Sequence, residues 1–377
     1  MFKKNIVISA VNLVEAGTLA ILKDCLKFLS VLAEQQEYRI IAIVYKKEIA
    51  DFPNIEYIET QWPKKRWVNR LWYEYVEMKK ISKRLAPVEL WFSLHDTSPS
   101  VIAKNRAVYC HNAFSFYKWK LSDFIFAPKI ALFALFTKYI YKTNIHDNDY
   151  LVVQQEWFRQ AMSQMFGVNP EKIIVAPPSS PKKLEGRPLP DILTTQDFSF
   201  IFAASPNSHK NFEVICRAVE IIHHQHHLRN FQVYITLKGD ENAYARWLYK
   251  KWGKEKGLNF IGFLDKETLF AFYLHSSCMI FPSKIETWGL PISEFSVLNK
   301  PMLLADLPYA HETASGSHKV AFFNPNKPEE LAIKMLHLIQ GNDSDTRSIA
   351  KKTLKPPVAR DWNEVFKILL EKKNIHQ

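Results

Sequence analysis

The sequence contains 377 residues, enough for two domains of ordinary size, and 47% of them are hydrophobic, which excludes an intrinsically disordered chain. The 50 Lys and Arg residues outnumber the 38 Asp and Glu residues, and the resulting formal charge of +12 favours an anionic partner. No RNA- or DNA-binding signature accompanies this charge, so nucleic acid is the least favoured of the anionic partners.

The cysteines and the N-terminal segment both indicate the cellular compartment of the protein. Four cysteines stand singly, without the spacing of a metal site, in or beside apolar segments: Cys25, Cys110, Cys216 and Cys278. This distribution predicts buried free thiols in a reducing compartment. The apolar run at 5–11 is too short for a signal peptide and predicts a buried strand instead. We therefore expect a cytoplasmic protein.

Strands and helices alternate through the first half of the sequence. After the strand at 5–11, a helix is predicted at 19–34 and further strands at 39–45, 88–93, 107–110 and 151–154. This alternation predicts a mostly parallel sheet with helices on both faces. Ligands of such sheets bind beyond the carboxyl ends of the strands, so residues that directly follow a strand are candidate site residues.

A stretch rich in proline and serine at 175–190 predicts a linker. A second alternating series follows it, with strands predicted at 198–204, 231–238, 259–263, 278–281 and 302–305, and helices at 211–224, 243–256, 266–275, from about 291, 328–340 and 361–373. We therefore predict an α/β fold with two Rossmann-like, doubly wound domains at 1–185 and 186–355, followed by a C-terminal helix within 356–377.

The segment between Glu286 and Glu294 carries the most functional information. It follows the apolar run at 278–281 and contains a glycine and then Pro291, which suits the first turn of a helix. A strand, a glycine loop and a helix N-terminus form an anion site, while carboxylates accept hydrogen bonds from hydroxyl groups. The pattern therefore suits a ligand that carries both an anionic group and hydroxyl groups, such as a nucleotide sugar. The spacing alone is also typical of glutamates that cap a helix.

The complete segment, Glu-Thr-Trp-Gly-Leu-Pro-Ile-Ser-Glu at 286–294, resembles the E-x7-E motif of the retaining glycosyltransferases of family 4, within the glycosyl transferases group 1. Members of this family have the GT-B fold, in which two Rossmann-like domains face a central cleft. The resemblance implies that 1–185 is the acceptor-side domain, that 186–355 binds the nucleotide sugar, and that the C-terminal helix crosses back to the first domain. It covers nearly the whole chain and is most specific at about 198–340.

The resemblance also implies roles for the residues of this segment. Glu294 would bind the ribose hydroxyls of the donor, and Glu286 would bind the hydroxyls of the transferred sugar. The backbone N–H groups of the loop between them would hold the diphosphate, and this donor-binding loop comprises Thr287, Trp288, Gly289 and Leu290.

Lys210 follows the strand at 198–204 and a turn rich in Pro, Asn and Ser, just before a helix. On chemistry alone it is either a solvated surface lysine or a cation that stabilises a departing diphosphate. In the family this loop usually carries an Arg and a Lys that contact the diphosphate, and Lys210 matches the Lys. Ser205 stands at the Arg position. Arg159 and Lys284 are candidate substitutes, and the sequence does not choose between them.

Three further candidates lie in other loops. His111 directly follows the strand at 107–110; a lone histidine is usually structural, but the matching histidine of the family contacts the transferred sugar. Gly17 resembles part of the family's first glycine loop, with one glycine instead of the usual pair. Phe263 stands where the family's backbone contacts the nucleobase. We expect no metal or other cofactor, because the GT-B fold typically needs none.

The segment 114–141 is rich in aromatic and apolar residues and contains Pro128, Lys129 and Lys138. Its uninterrupted apolar run is too short for a membrane-spanning helix. Two interpretations stay open: an interfacial helix that contacts the membrane and a lipid-linked acceptor, or a core helix of the first domain. Basic and aromatic residues at 62–67 are compatible with the same membrane face. The first interpretation places the protein on the inner face of the cell membrane.

The resemblance predicts a retaining glycosyltransferase of the EC 2.4 type, which transfers a sugar from a nucleotide-diphosphate sugar to a hydroxyl of a growing cell-surface glycan, such as lipopolysaccharide or capsule. Two alternatives stay open. Ser205 in place of arginine favours a protein that binds nucleotide sugars without catalysis. A nucleotide-sugar epimerase of the GT-B type is less favoured, because such enzymes lack the complete motif.

Overall fold

The structure is a computed structural model that describes residues 3–14, 16–35, 37–119, 121–126, 128–178, 186, 188–190 and 197–371. The chain divides into two compact units. The first unit comprises Met1–Ser115, Phe136–Ser179 and Leu354–Gln377, and the second comprises Phe116–Leu135 and Ser180–Thr353. The predicted domain boundary after 185 falls on a residue outside the described ones, so the domain limits stay a prediction.

Strands and helices are numbered separately along the chain. The strands are β1 Lys4–Ser9, β2 Tyr38–Val44, β3 Ile55–Glu59, β4 Val88–Ser93, β5 Asn105–Tyr109, β6 Tyr150–Val153, β7 Ile173–Val175, β8 Phe198–Phe202, β9 Phe231–Ile235, β10 Leu258–Phe260, β11 Cys278–Phe281, β12 Met302–Ala305 and β13 Val320–Phe323. The helices are α1 Ala16–Glu34, α2 Trp67–Trp72, α3 Met78–Arg84, α4 Leu121–Phe126, α5 Pro128–Lys142, α6 Glu156–Phe166, α7 Phe212–Gln225, α8 Ala243–Trp252, α9 Lys266–His275, α10 Leu290–Ser296, α11 Pro308–Thr313, α12 Pro328–Ile339 and α13 Trp362–Leu370.

Among the described residues, the first unit forms a parallel seven-stranded sheet in the order β3-β2-β1-β4-β5-β6-β7. Both of its faces are buried: Ile6 and Ile8 of β1 join the core cluster on one side, whereas Val7 joins the cluster on the other. Because both faces of the sheet are covered, the sequences of these strands are continuous apolar runs. Helix α13 packs on this unit, where Phe366 stacks on Phe28 of α1 with ring centroids 5.4 Å apart.

The described part of the second unit forms a parallel six-stranded sheet in the order β10-β9-β8-β11-β12-β13. The predicted bounds of β11, β12 and α9 agree with the observed ones. The two Rossmann-like sheets confirm the predicted α/β class. The prediction of buried free thiols is also confirmed for all four cysteines. Strands β8 and β11 are neighbours, so the loops that follow them leave the same edge of the sheet side by side.

Some short elements differ from the sequence-based predictions. Strand β7 ends at Val175, although the sequence pattern assigns this residue to the linker. The pattern does not predict β7, because a strand of three residues is too short to show an alternation of apolar and polar residues. Strands β3 and β13 and helix α6 are likewise absent from the predictions. Helix α1 begins at Ala16, so Gly17 lies in the first turn of a helix and not in a preceding loop.

Candidate active site

The segment 286–294 runs from the loop after β11 into α10, as its pattern predicts. Gly289 precedes the helix with φ at +85°, in the left-handed region that glycine adopts without strain. A Cβ at this position would lie 3.2 Å from a side-chain carbon in the first turn of α10, so a larger residue would also crowd the helix. The Thr313 hydroxyl donates to the Trp288 carbonyl, and the Trp288 indole N–H donates to Ser293 Oγ at 3.2 Å. These contacts hold the loop in place.

Lys210 and Glu286 meet at the carboxyl edge of the second sheet. Lys210 Nζ donates to Glu286 Oε1 at 2.5 Å, although the two residues are 76 positions apart in the sequence. Their side chains are 17% and 14% exposed, so water has limited access to the ion pair. Hydrogen bonds between charged groups are roughly twice as strong as those between neutral groups. The structure therefore brings together the predicted diphosphate cation and the predicted sugar-binding carboxylate.

Glu294 lies one turn into α10 and is partly buried. Burial raises the pKa of its carboxyl above the usual value, and the positive charge of Lys266 opposes this shift. Beside it, burial and then the Glu294 charge raise the pKa of Tyr273, whose hydroxyl has no hydrogen-bond partner among the described residues. Hydrogen bonds to a carboxylate are stronger in such a partly dry site than in water, which suits the recognition of hydroxyl groups.

Ser205, at the position of the family arginine, is exposed and accepts a hydrogen bond at 2.9 Å from a side chain of its own loop. Arg159 does not fit as the substitute, which corrects one of the two sequence-based candidates. It is buried in the first unit, where its guanidinium donates to the carbonyls of Lys355 at 2.7 Å and Pro357 at 3.1 Å. Arg159 therefore binds the C-terminal segment. These partners lie 196 and 198 positions away, so no local pattern indicates them.

Lys284 lies in the loop before the motif, and its Nζ donates to Glu213 Oε1 at 2.9 Å. The other oxygen of Glu213 accepts a hydrogen bond from the Tyr244 hydroxyl. This network lines a pocket of about 240 Å³ in the second unit. Burial, followed by the charges of Lys210 and Lys284, lowers the pKa of the nearby His209 well below its usual value, so that imidazole is neutral. The backbone N–H of Lys284 donates to the His209 carbonyl at 2.8 Å, so Lys284 lies beside the loop of Lys210, and its role as the substitute cation stays a prediction.

His111 lies just beyond β5, beside the loop that follows the neighbouring strand β4. Asp96 of that loop accepts hydrogen bonds from the backbone N–H groups of His111 at 2.6 Å and Asn112 at 3.0 Å. The same oxygen accepts a hydrogen bond from the Tyr141 hydroxyl at 2.7 Å, and the second oxygen lies 3.2 Å from His111 Nε2. Asp96 thus orients the His111 ring. The sequence-based predictions omit Asp96, although it follows an apolar strand as His111 does.

Comparisons with known proteins bear on the second unit. Residues 192–354 match the family model of glycosyl transferases group 1. The matched region contains Lys210, Glu286 and Glu294. No curated protein sequence is significantly similar to the chain. The family match supports a glycosyltransferase enzyme.

Solved structures of low sequence identity have the same fold. Sucrose-phosphate synthase from Thermosynechococcus elongatus is 13% identical, with a TM-score of 0.67 over 92% of each chain. HepE from Anabaena, solved with UDP and glucose, is 13% identical, with a TM-score of 0.64 over 98% of this chain and 96% of that one. The lipopolysaccharide outer core galactosyltransferase WaaB is 10% identical, with a TM-score of 0.60 over 90% of each chain. These likenesses confirm the GT-B fold.

Gly17 and Phe263 lie in the two different units of this fold. Gly17 is exposed in the first turn of α1, and apart from its chain neighbours and the backbone of its own helix, no described atom lies within 4 Å of the position that a Cβ would take. Phe263 follows β10 and is 91% exposed, so its ring contributes little to the core. Both positions are accessible to a ligand, and their roles stay predictions.

The segment 114–141 forms α4 and α5, and its residues Lys120 and Ala127 lie outside the described ones. The apolar residues that it leaves exposed are Phe124, Ile125, Leu132, Leu135, Phe136 and Tyr139. Other positions are buried, among them Ala131 and Tyr141, and Phe126 packs on Trp247 with ring centroids 4.9 Å apart. The segment therefore has both buried and exposed apolar positions, and the core and interfacial interpretations stay predictions. Among the described residues, no helix has the length and hydropathy required to cross a membrane.

Proposed function

We propose that this protein is a retaining glycosyltransferase of family 4, which transfers a sugar from a nucleotide-diphosphate sugar to a hydroxyl of a growing cell-surface glycan. The observation that carries the proposal is the Lys210–Glu286 ion pair at the start of the 286–294 motif. The ammonium of Lys210 suits the anionic diphosphate of a sugar donor, and the carboxylate of Glu286 beside it can accept hydrogen bonds from the hydroxyl groups of the sugar. The similarity to HepE, solved with UDP and glucose, and to the lipopolysaccharide galactosyltransferase WaaB supports this donor and acceptor class.

In the proposed reaction, the bond between the anomeric carbon and the diphosphate oxygen breaks, and the leaving diphosphate gains negative charge. The Lys210 ammonium and the backbone N–H groups at Gly289 and Leu290 stabilise that charge. Glu294 accepts hydrogen bonds from the ribose hydroxyls, and Glu286 accepts them from the sugar. The acceptor hydroxyl attacks the face that the diphosphate leaves and gives its proton to the leaving phosphate, so the anomeric configuration is retained.

His111 has a separate role in this proposal. Its ring contacts the transferred sugar, and Asp96 keeps that ring in one orientation through one contact with the His111 backbone N–H at 2.6 Å and one with ring Nε2 at 3.2 Å. Holding the reacting groups in place lowers the entropic part of the barrier. No metal takes part in the proposed reaction, since Lys210 and the loop amides provide the positive charge that a metal provides in other glycosyltransferases.

Incubation of the full chain with a panel of nucleotide sugars and cell-envelope acceptors tests the proposed function. We expect release of the nucleoside diphosphate together with extension of the glycan, and NMR of the product should show the anomeric configuration of the donor. Interconversion of the sugar without extension would instead support an epimerase. Binding of a nucleotide sugar without turnover would support the non-catalytic alternative, which Ser205 favours.

We also propose that the exposed apolar side of α4 and α5 contacts an anionic membrane on its cytoplasmic face. Lys138 and the net charge of +12 suit anionic headgroups. Replacing Ile125, Leu132 and Phe136 with serine is expected to weaken binding to phosphatidylglycerol liposomes at least about tenfold, because fully burying one such side chain contributes about 1.5–3 kcal/mol. Co-sedimentation of the full chain measures this binding.

The exposed Val31 on α1 provides the matched control, since Val31→Ser removes a comparable apolar group from another surface. Unchanged co-sedimentation of the triple variant would rule out this face as the membrane contact. The double variant Trp67→Ser/Trp72→Ser tests the exposed aromatic residues of α2 in the same assay, because Lys64 and Arg66 lie close to them in the chain.

A further inference from the structure

A buried polar cluster lies in the first unit, next to the loop that carries Asp96. It consists of Arg70 from α2, Glu74 from the turn after α2, and His95 from the loop after β4. Glu74 and His95 are each only 1% exposed, and Glu74 Oε1 lies 3.1 Å from His95 Nδ1. Arg70 Nη2 donates to the His95 carbonyl at 3.1 Å, and Arg70 Nε lies 3.9 Å from Glu74 Oε1. Burying such groups is costly, and an apolar cluster of the same shape is often as stable or more stable. Stability alone therefore does not explain the cluster.

The backbone around Glu74 is also unusual. Tyr73–Glu77 is a single π-helical turn between α2 and α3, and such turns occur frequently at functional sites. The Glu74 carbonyl accepts a hydrogen bond from Ser100 N at 3.1 Å, so this turn is bonded to the chain just after the β4 loop. Both the backbone and the side chain of Glu74 therefore contact the same segment of the first unit.

That segment connects Glu74 with the candidate site. His95 Nδ1 also lies 2.9 Å from Thr97 Oγ1, so the contacts with Glu74 and with Thr97 meet at the same ring nitrogen of His95. The next residue, Asp96, has φ at +68°, a left-handed conformation that is uncommon for residues other than glycine. Its carboxylate binds the backbone and ring of His111. A continuous chain of contacts thus runs from Glu74 through His95 and Asp96 to His111.

We propose that Glu74 is a positioning residue for the reaction: together with Arg70 it holds His95, and it thereby fixes the backbone from which Asp96 orients His111. This inference rests on the proposed function, in which His111 contacts the transferred sugar. Glu74 acts through its neighbours and does not touch the substrate. A displacement of His111 by about 1 Å is enough to lower the rate of a reaction that depends on alignment by about a hundredfold.

The protonation of the cluster indicates which substitution will preserve it. Burial raises the pKa of Glu74 to about 7, while the charge of Arg70 and a hydrogen bond from Thr97 oppose that shift. Burial, followed by the charges of Arg70 and His111, lowers the pKa of His95 well below its usual value, so this imidazole is neutral. Tyr73 and Tyr75 are further titratable groups beside Glu74, and burial and then the charge of Glu74 raise the pKa of both hydroxyls. Glutamine resembles the protonated carboxyl in shape and can both donate and accept, so it should support the same geometry.

The kinetic test compares Glu74→Gln with Glu74→Ala in the full chain. With the donor that the nucleotide-sugar panel identifies, we expect Glu74→Ala to lower kcat at least about tenfold and Glu74→Gln to lower it less than about threefold. The Kd for the donor should change less than kcat in either variant, because the proposed contacts with the nucleotide and the diphosphate belong mainly to the second unit. Glu77→Ala is the matched control: Glu77 ends the same π-helical turn, is more exposed and pairs with Lys80. Equal losses in Glu74→Ala and Glu77→Ala would contradict the proposal.

A second measurement needs no substrate. Long-range ¹H–¹⁵N NMR of the histidine rings, with His95→Gln and His111→Gln as assignment variants, reports the environment of both imidazoles. We expect Glu74→Ala to shift the ring signals of His95 and His111, and Glu74→Gln to leave those of His111 in place. His111 signals that stay unchanged while those of His95 move would overturn the inference. If Glu74→Ala does not fold, Arg70→Gln removes the guanidinium contact with His95, and the same shift of His111 is expected. If no donor is turned over, the proposed function fails, and the NMR result still decides whether Glu74 positions the His111 ring.

Discussion

Replacing Glu286 with alanine is expected to lower kcat for sugar transfer by at least about a hundredfold, which corresponds to about 2.7 kcal/mol of lost transition-state stabilisation. The substitution removes the carboxylate that, in the proposed reaction, accepts hydrogen bonds from the transferred sugar. It also removes the partner that fixes Lys210 Nζ at 2.5 Å, so the diphosphate cation loses its position. Initial rates of nucleotide release and glycan extension, at saturating donor, measure the effect.

Two further variants make this result specific. Glu286→Gln keeps a hydrogen-bond acceptor but loses the charge, so it should retain more activity than Glu286→Ala. Glu329→Ala removes an exposed glutamate from the first turn of α12 in the same unit and should leave the rate unchanged. If Glu286→Ala transfers sugar at the wild-type rate, the assignment of the site to the 286–294 motif is wrong.

Replacing Lys210 with methionine is expected to lower kcat/KM by about a hundred- to a thousandfold. Methionine keeps most of the side-chain volume but cannot stabilise the charge that develops on the leaving diphosphate. Because Glu286 would then lack its cation, the melting temperature must be measured in parallel to separate loss of folding from loss of catalysis. Lys238→Met is the matched control, since Lys238 follows β9 in the same unit and its exposed ammonium pairs with Asp240. Steady-state kinetics with the donor of the panel give kcat/KM for each variant.

The same assay addresses the missing arginine at Ser205. Lys284→Met should reduce kcat/KM as strongly as Lys210→Met if Lys284 provides the second cation for the diphosphate. A wild-type rate for Lys284→Met would instead restrict Lys284 to its contact with Glu213 at 2.9 Å. In that case Lys210 and the loop amides carry the whole charge. If Lys210→Met itself retains the wild-type rate, charge stabilisation by this lysine is excluded.

Much of the donor side of the site could be predicted from local sequence, because its parts are consecutive in the chain. A buried strand, a loop with a left-handed glycine and a helix with Pro291 in its first turn all depend on residues within about one helical turn of each other. The family motif lies on these same residues, so its placement needed no knowledge of the tertiary fold. The long apolar strands were predictable for a similar reason, since burial on both faces leaves an uninterrupted apolar run.

The contacts that complete the candidate site arise instead from the order of the strands in each sheet. Lys210 meets Glu286 because β8 and β11 are neighbours in the sheet, and Asp96 meets His111 because β4 and β5 are neighbours. Strand order depends on how the crossover helices pack and not on any local pattern, so these pairs could not be inferred from spacing. The burial of Arg159 against the C-terminal segment is a similar long-range result.

Local sequence thus specifies the groups of the candidate site, which are two glutamates, a lysine, a histidine and a glycine loop. Their local conformation follows from backbone preferences and from the alternation of apolar residues, both of which act over a few positions. The pairing of these groups, the burial that shifts the pKa of Glu294 and Glu74, and the link from Glu74 to His111 arise from packing between segments that are distant in the chain. Those properties depend on distances and solvent access in three dimensions, which a linear pattern does not contain.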